Sequence, residues 1–283
     1  MIINAEPSRR AWWLLAPAGL IYSAAFLMPL ALVVIYSFAR FKGGVTEFGF
    51  FLDNYRSAIS DGFVLPVLWQ TMRLALFVTL ACLVLGIPIA VQLRRCRPRA
   101  RLLLMFLIVS PILTSVIVRN VSFLLILGKF GLINQALQWL GIVSAPVQLL
   151  YNRFAVIVGV VHVYLPFMAL PAYASMSAID PRMEESAANL GASRLRVFLS
   201  VTLPLSLPGI IAGATIVFIL AMGIYVTPVI MGGGFVVTTP MIISDLVRNQ
   251  YNWAQGAAIS VLLLAVIGVL MAGLSRIRLR HAR

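Results

Sequence analysis

Apolar residues along this chain come in long unbroken runs separated by short polar segments, not in the single-residue alternation of half-buried strands. Six runs are long enough to cross a hydrocarbon core, which takes about 20 residues of helix. They cover residues 12–38, 67–93, 102–127, 154–178, 206–231 and 255–275. In lipid each backbone N–H and C=O must be paired within the protein, so an isolated spanning segment is a helix. A barrel built from alternating segments of about 10 residues does not fit such continuous runs. The pattern predicts an all-α polytopic membrane protein with six transmembrane helices.

Composition agrees. Of 283 residues, 61% are hydrophobic and 11% charged, against about 25% charged in a typical soluble domain. A water-soluble enzyme, a disordered tail and a disulfide scaffold are excluded. Cys82 and Cys96 form no paired framework and are read as free thiols. The net charge of +14 is scattered between the apolar runs, so no nucleic-acid patch is expected. It behaves instead as a topology signal. With the N-terminus in the cytoplasm, 14 Lys and Arg fall in inner segments and 6 in outer ones, with Arg73 and Arg119 inside spans. The positive-inside rule then puts both termini in the cytoplasm. The cluster at 94–101 meets anionic lipid headgroups. The first run follows Arg9 and Arg10, but it is about twice as long as a signal-peptide core, and no small-residue cleavage site follows. It is expected to be a retained anchor, bent at Pro17 and Pro29.

Several chemistries have no residues to carry them. The two histidines, His162 and His281, and the two cysteines make no metal or haem cluster, so no metal and no cofactor is expected. The six runs contain no Asp or Glu, which ion-coupled carriers usually need. There is no phosphate-cradling glycine loop. Uphill transport by this chain would draw its energy from a partner. His162 is expected to pack between helices, and Arg73 to anchor at an interface. Arg119 is expected either to snorkel outward or to serve an outer gate.

The segment between the fourth and fifth runs, residues 179–204, has a distinct pattern. Asp180 followed by Pro181 marks a helix start, with the carboxylate as cap and proline at the first helical position. Glu184 and Glu185 follow where the helix dipole favours anions. Met183, Ala187 and Leu190 form a narrow apolar stripe, and Gly191 ends the helix in a left-handed conformation. A second short helix from Ser193 to Thr202 leads to Leu203 and Pro204. Two short helices meeting at a glycine form an elbow suited either to a groove in another protein or to the membrane surface.

This segment resembles the cytoplasmic signature of ABC importer permeases, E-A-A-x-x-x-G-x(9)-I-x-L-P. Here it reads Glu185, Ser186, Ala187, three residues, Gly191, nine residues, Val201, Thr202, Leu203, Pro204. Serine and valine stand where the signature has alanine and isoleucine. Further stretches, LDNYRSAIS (52–60), PILTSVIVRN (111–120), GLINQAL (131–137), VYLPFMALPAYASM (163–176) and VTPVIMGGG (226–234), are similar to the spermidine/putrescine-type branch. Relatives often carry an aromatic pair just after the arginine of the third run, whereas Val121, Ser122 and Phe123 follow Asn120 here.

The resemblance implies one permease domain over 1–283, with the type I importer fold and a core of about 67–275. It implies a multi-pass protein of the bacterial inner membrane that is not itself an enzyme. The expected partners are ABC ATPase subunits, a second permease, an extracytoplasmic solute-binding protein and membrane lipid. Asp180, Glu184, Glu185, Ala187, Ala188, Gly191, Leu203 and Pro204 would couple to the ATPase. Arg119, Tyr225, Asp245 and Trp253 are candidates for the pathway or its outer mouth. Between the last two runs, Thr239 is expected to cap a short helix, with Pro240 at its first position. A small organic cation such as a polyamine is the expected solute. Opines, amino-acid-like compounds and ferric iron are the alternatives, and a stand-alone secondary transporter is the competing class.

Overall fold

The computed structural model describes residues 9–281, so Arg283 of the basic tail and the outermost ends of the expected 1–283 domain lie outside the described residues. Its helices are α1 (Arg9–Ser37), α2 (Asp53–Ser60), α3 (Val64–Arg95), α4 (Pro98–Leu113), α5 (Val116–Leu127), α6 (Leu132–Trp139) and α7 (Arg153–Ser177). They continue with α8 (Pro181–Asn189), α9 (Arg194–Val197), a π-helical turn (Phe198–Thr202), α10 (Leu203–Met222), α11 (Val226–Met231), α12 (Thr239–Arg248) and α13 (Trp253–His281). Among the described residues, six stretches are long and apolar enough to cross a membrane: Ala16–Ser37, Val64–Arg95, Val116–Trp139, Arg153–Ser177, Arg194–Met222 and Trp253–Gly273. The chain contacts group into two compact units, one running through Leu65 and including Ile242–Gly268, the other comprising Pro66–Met241 and the chain from Val269.

In the larger unit, α7 packs along α10. Small residues make this possible. A Cβ on Gly213 of α10 would stand 3.1 Å from the Met168 Cα and carbonyl oxygen of α7. Ala169 and Ala172 on α7 are fully buried. Helices in lipid gain little from hydrophobic association, so close backbone approach through small residues supplies the van der Waals contact instead. At one end of this pair Ala90 of α3, Ala172 and Met176 of α7 and Ile210 of α10 form a buried cluster, with Phe198 and Leu203 packed against it.

The third expected span differs from its pattern. The run 102–127 is not one helix: Thr114 (φ −92°, ψ 146°) and Ser115 (φ −55°, ψ 134°) are extended and separate α4 from α5. Opening the helix there frees the Pro111 carbonyl. The Thr114 hydroxyl donates to it at 3.0 Å and Arg119 Nη1 donates to it from α5. The stretch Val116–Trp139 is long and apolar enough to cross, but it too is two helices, α5 and α6, with extended backbone at Gly128 and Gly131 between them.

In the smaller unit, β1 (Arg40–Lys42) and β2 (Val45–Glu47) form an antiparallel hairpin. Its two-residue turn, Gly43 and Gly44, has φ of 59° and 83°, the conformation whose twist suits a tight hairpin. α2 ties this hairpin to the end of α1. Asn54 Nδ2 donates to the Ala39 carbonyl at 2.6 Å, Tyr55 donates to Ser37 Oγ at 2.7 Å, and Arg40 pairs with Asp53.

Candidate functional site

The segment between α7 and α10 is an elbow built as its residue types dictate. Asp180 accepts a hydrogen bond from the Arg182 N–H at 2.9 Å, with Pro181 beginning α8. Gly191 follows α8 with φ +86°, and its N–H donates to the Ala188 carbonyl at 2.9 Å. No atom lies within 4 Å of where a Cβ on Gly191 would stand. Ser193 then caps α9, accepting from the Arg196 N–H. The chain reaches Leu203 through the π-helical turn, in which the Leu203 N–H donates to the Phe198 carbonyl. Pro204 follows directly in the helix that runs on from α9. Because it has no N–H to offer the preceding turn, the helical ladder is interrupted where the π-helical turn falls.

None of the side chains of α8 is buried. Glu185, Ala188 and Gly191 are exposed, and of the apolar stripe Met183 is 49% and Leu190 90% exposed, with Ala187 between them half-buried. An amphipathic helix that leaves its apolar positions uncovered presents them to something outside the protomer.

Glu184 behaves differently from Glu185. Arg94 Nη1, at the end of α3, donates to Glu184 Oε1 at 2.6 Å, and the Thr202 hydroxyl donates to the same oxygen. Arg94 Nη2 also reaches the Ile179 carbonyl just past α7, at 3.5 Å. Burial alone would raise the Glu184 carboxyl. The hydrogen bonds from Thr202 and Arg94, with the charges of Arg94 and Arg95, outweigh it and hold the carboxyl below the ordinary carboxylate value. Sequence reasoning placed Glu184 and Glu185 together; the structure turns one inward and one outward. A cleft of about 180 Å³ lies beside this cluster, lined by Val91, Met176 and Phe198 among others.

Of the four residues expected at a pathway or mouth, Arg119 and Tyr225 lie in the larger unit and Asp245 and Trp253 in the smaller. Arg119 is half-buried, with Nη1 committed to Pro111; its Nε is buried without a hydrogen-bond partner. Tyr225 is half-buried between α10 and α11. Asp245, on α12, is exposed and accepts from Asn249 Nδ2 at 2.6 Å and Gln250 Nε2 at 2.8 Å. These two hydrogen bonds hold its carboxyl below the usual aspartate value. Trp253 begins α13 and is 53% exposed.

Two local expectations change. Thr239 is the first residue of α12 rather than its cap; its N–H donates to the Thr71 hydroxyl of α3 at 2.9 Å. His162 is exposed on α7, its ring edge against Phe123 at 5.4 Å between centroids, rather than enclosed among helices. Arg73 stacks over the Trp69 ring at 5.9 Å. The smaller unit adds a feature the sequence reading missed, a cleft of about 450 Å³ lined by Arg40, Lys42, Asp53, Asn54, Asp61 and Asn252.

Comparison with known proteins extends over nearly the whole chain. Residues 8–281 match the family model described as the binding-protein-dependent transport system inner membrane component. The spermidine/putrescine transport system permease protein PotB of Escherichia coli (strain K12) is 35% identical over 250 residues, covering 87% of this chain and 89% of PotB. A putative 2-aminoethylphosphonate transport system permease protein, PhnU of Salmonella paratyphi A, is 28% identical over 257 residues, covering 90% of this chain and 87% of PhnU. The crystal structure of a bacterial ABC transporter involved in import of the acidic polysaccharide alginate contains a chain with the same fold. Its TM-score is 0.75 at 17% identity, covering 97% of this chain and 98% of that one.

Proposed function

The chain belongs to the family of inner membrane components of binding-protein-dependent transport systems, and on that footing we propose that it forms part of the translocation pathway for a polyamine, driven by a separate ATPase. It is an ABC importer permease with six membrane-crossing helices in the type I fold. The observation that carries the coupling part is the elbow. Its signature runs from Glu185 on α8 through the turn at Gly191 to Leu203 and Pro204 at the root of α10, and the apolar Met183 and Leu190 of α8 are left open.

In this reading the elbow faces the cytoplasm and seats in a groove of the ATPase subunit. Gly191 gives the turn, and Glu185, Ala187 and Ala188 offer a surface small enough for close docking. Asp180 holds the start of α8, while Leu203 and Pro204 root the elbow on the membrane helices. ATP-driven closure of two ATPase subunits moves the elbows and reorients the helices, so the solute site faces alternately out and in. A second permease completes the pathway, and a solute-binding protein delivers the solute from outside. Both termini are cytoplasmic in a multi-pass inner-membrane chain. Arg119, Tyr225, Asp245 and Trp253 are the residues proposed for the pathway or its mouth. The chain performs no bond chemistry; ATP hydrolysis belongs to the partner.

A polyamine is favoured because PotB shares 35% identity across most of both chains and because Asp245 presents an ionised carboxylate. The test is uptake of labelled spermidine by cells carrying this permease with its neighbouring transport subunits. ATP-dependent uptake that putrescine competes for is the expected result. Uptake of 2-aminoethylphosphonate without spermidine uptake would keep the importer and replace the solute. Transport that persists without any ATPase and collapses with the ion gradient would overturn the importer mechanism.

A further inference from the structure

Glu184 sits within the elbow, but its carboxylate is not offered to a partner. We infer that Glu184 is a positioning residue that pins α8 to both α3 and the root of α10, so that movement imposed on the elbow passes into two membrane helices at once. The inference rests on the docking role proposed for the elbow and assigns one of its residues a different task.

Three observations carry it. The first is convergence: Arg94 and Thr202, 90 and 18 residues away in sequence, donate to the same oxygen, Glu184 Oε1. The Arg94 and Glu184 side chains are only 19% and 27% exposed, and Thr202 is buried. A charged pair with a third donor, largely withdrawn from water, has a defined geometry that an exposed pair lacks. The second is how little else fastens α8: it buries no side chain fully, Ala187 being only half-buried, and the cleft of about 180 Å³ lies beside the pair. The third is the π-helical turn. Its extra residue brings the Thr202 hydroxyl to the carboxylate at the point where the elbow becomes α10, and such turns recur at functional sites. Arg94 also reaches the Ile179 carbonyl past the end of α7, where a cation is favoured by the helix dipole. One guanidinium thus joins the ends of α3 and α7 to the elbow.

A pin and a docking contact differ in what their loss does. Removing a docking contact releases the ATPase. Removing a pin leaves the ATPase bound while α3 no longer follows it. The experiment uses the complete importer, purified through the ATPase, with a nitroxide on the native Cys96 just past α3. Cys82 is buried and so is shielded from labelling. The readouts are permease recovered with the ATPase, and the change in the nitroxide spectrum when ATP and vanadate trap the ATPases closed. Wild type should show both. Glu184→Ala and Arg94→Gln, at matched membrane levels, should retain recovery and lose the spectral change. The charge swap Arg94→Glu with Glu184→Arg should restore it, which a general loss of folding would not allow. Gly191→Leu should lose recovery itself. If Glu184→Ala keeps the spectral change, or if the swap restores nothing, there is no pin. If Glu184→Ala loses recovery as completely as Gly191→Leu, Glu184 is a docking contact. A wild-type chain that recovers no ATPase, or shows no spectral change, defeats the proposed coupling and the pin with it.

Discussion

Thr71 of α3 and Thr239 of α12, 168 residues apart, share a closed hydrogen-bond arrangement. The Thr71 hydroxyl gives its one proton to the Val67 carbonyl at 2.8 Å, and its oxygen accepts the Thr239 N–H at 2.9 Å. The two hydroxyl oxygens are 3.0 Å apart. Since the Thr71 proton is already used, Thr239 is the donor between them. Both residues are buried, so α12 begins on α3 with every polar atom of the pair engaged.

Thr71→Val keeps the shape and removes the acceptor, leaving the Thr239 N–H and hydroxyl buried without a partner. An orphaned buried donor costs about 1–3 kcal/mol, so the detergent-purified chain should denature at a lower temperature. Thr71→Ser keeps the oxygen and should stay near wild type. Equal loss in both would mean that the missing methyl contact, not the hydrogen bonds, decides the stability.

With Gly209, whose Cβ would fall against the Pro171 carbonyl, Gly213 sets the spacing of α7 and α10. Because a Cβ there would press on the Met168 backbone at 3.1 Å, it cannot be relieved by turning one side chain. Gly213→Val should cost about 1–3 kcal/mol, as overpacking a close interface does. Gly273, where a Cβ would meet nothing within 4 Å, is the matched control. Heating curves on the two valine variants check the difference.

Much of this fold is legible from runs of apolar residues, because a helix in lipid satisfies its own backbone and needs only length and hydrophobicity. The elbow is legible too, since its caps and its glycine act within a few residues. What escapes is of two kinds. The α4–α5 break falls inside a continuous apolar run, and only the Thr114 and Arg119 hydrogen bonds to Pro111 make it tenable. The Arg94–Glu184 pair joins positions 90 residues apart, and no local pattern selects Arg94 from the arginines around it. The β1–β2 hairpin is a different case, for the Gly43–Gly44 pair between Arg40–Lys42 and Val45–Glu47 is a readable turn signal.

Asp245 gives a prediction in pH. Its carboxyl is held below the usual aspartate value by Asn249 and Gln250. A depressed carboxyl stays ionised as the pH falls to its ordinary range and is lost only below it. If Asp245 draws a cationic solute to the mouth, the ratio of uptake in wild type to Asp245→Asn should stay constant from about pH 7 to about pH 5, since the ordinary aspartate value is near 4. A ratio that declines over that interval would indicate a group of higher pKa. A ratio of one throughout would remove Asp245 from the mouth.

Orientation can be tested at a site the structure makes suitable. Gly234 lies between α11 and α12 with φ +81°, exposed, and with nothing within 4 Å of a would-be side chain. Chain inserted there meets no packed neighbour, and exposed loop positions tolerate insertion best. The segment belongs to the connection between the fifth and sixth spans, where Arg248 is the one basic residue. Between the fourth and fifth apolar runs of the sequence lie Arg182, Arg194 and Arg196, and between the second and third runs lie five arginines. By the positive-inside rule this imbalance predicts Gly234 outside and the elbow inside. A phosphatase reporter that folds only outside the cytoplasm should therefore be active when fused after Gly234 and silent when fused after Arg196. The reverse pattern would place the elbow outside, where no ATPase could reach it, and would defeat the coupling mechanism as well as the orientation.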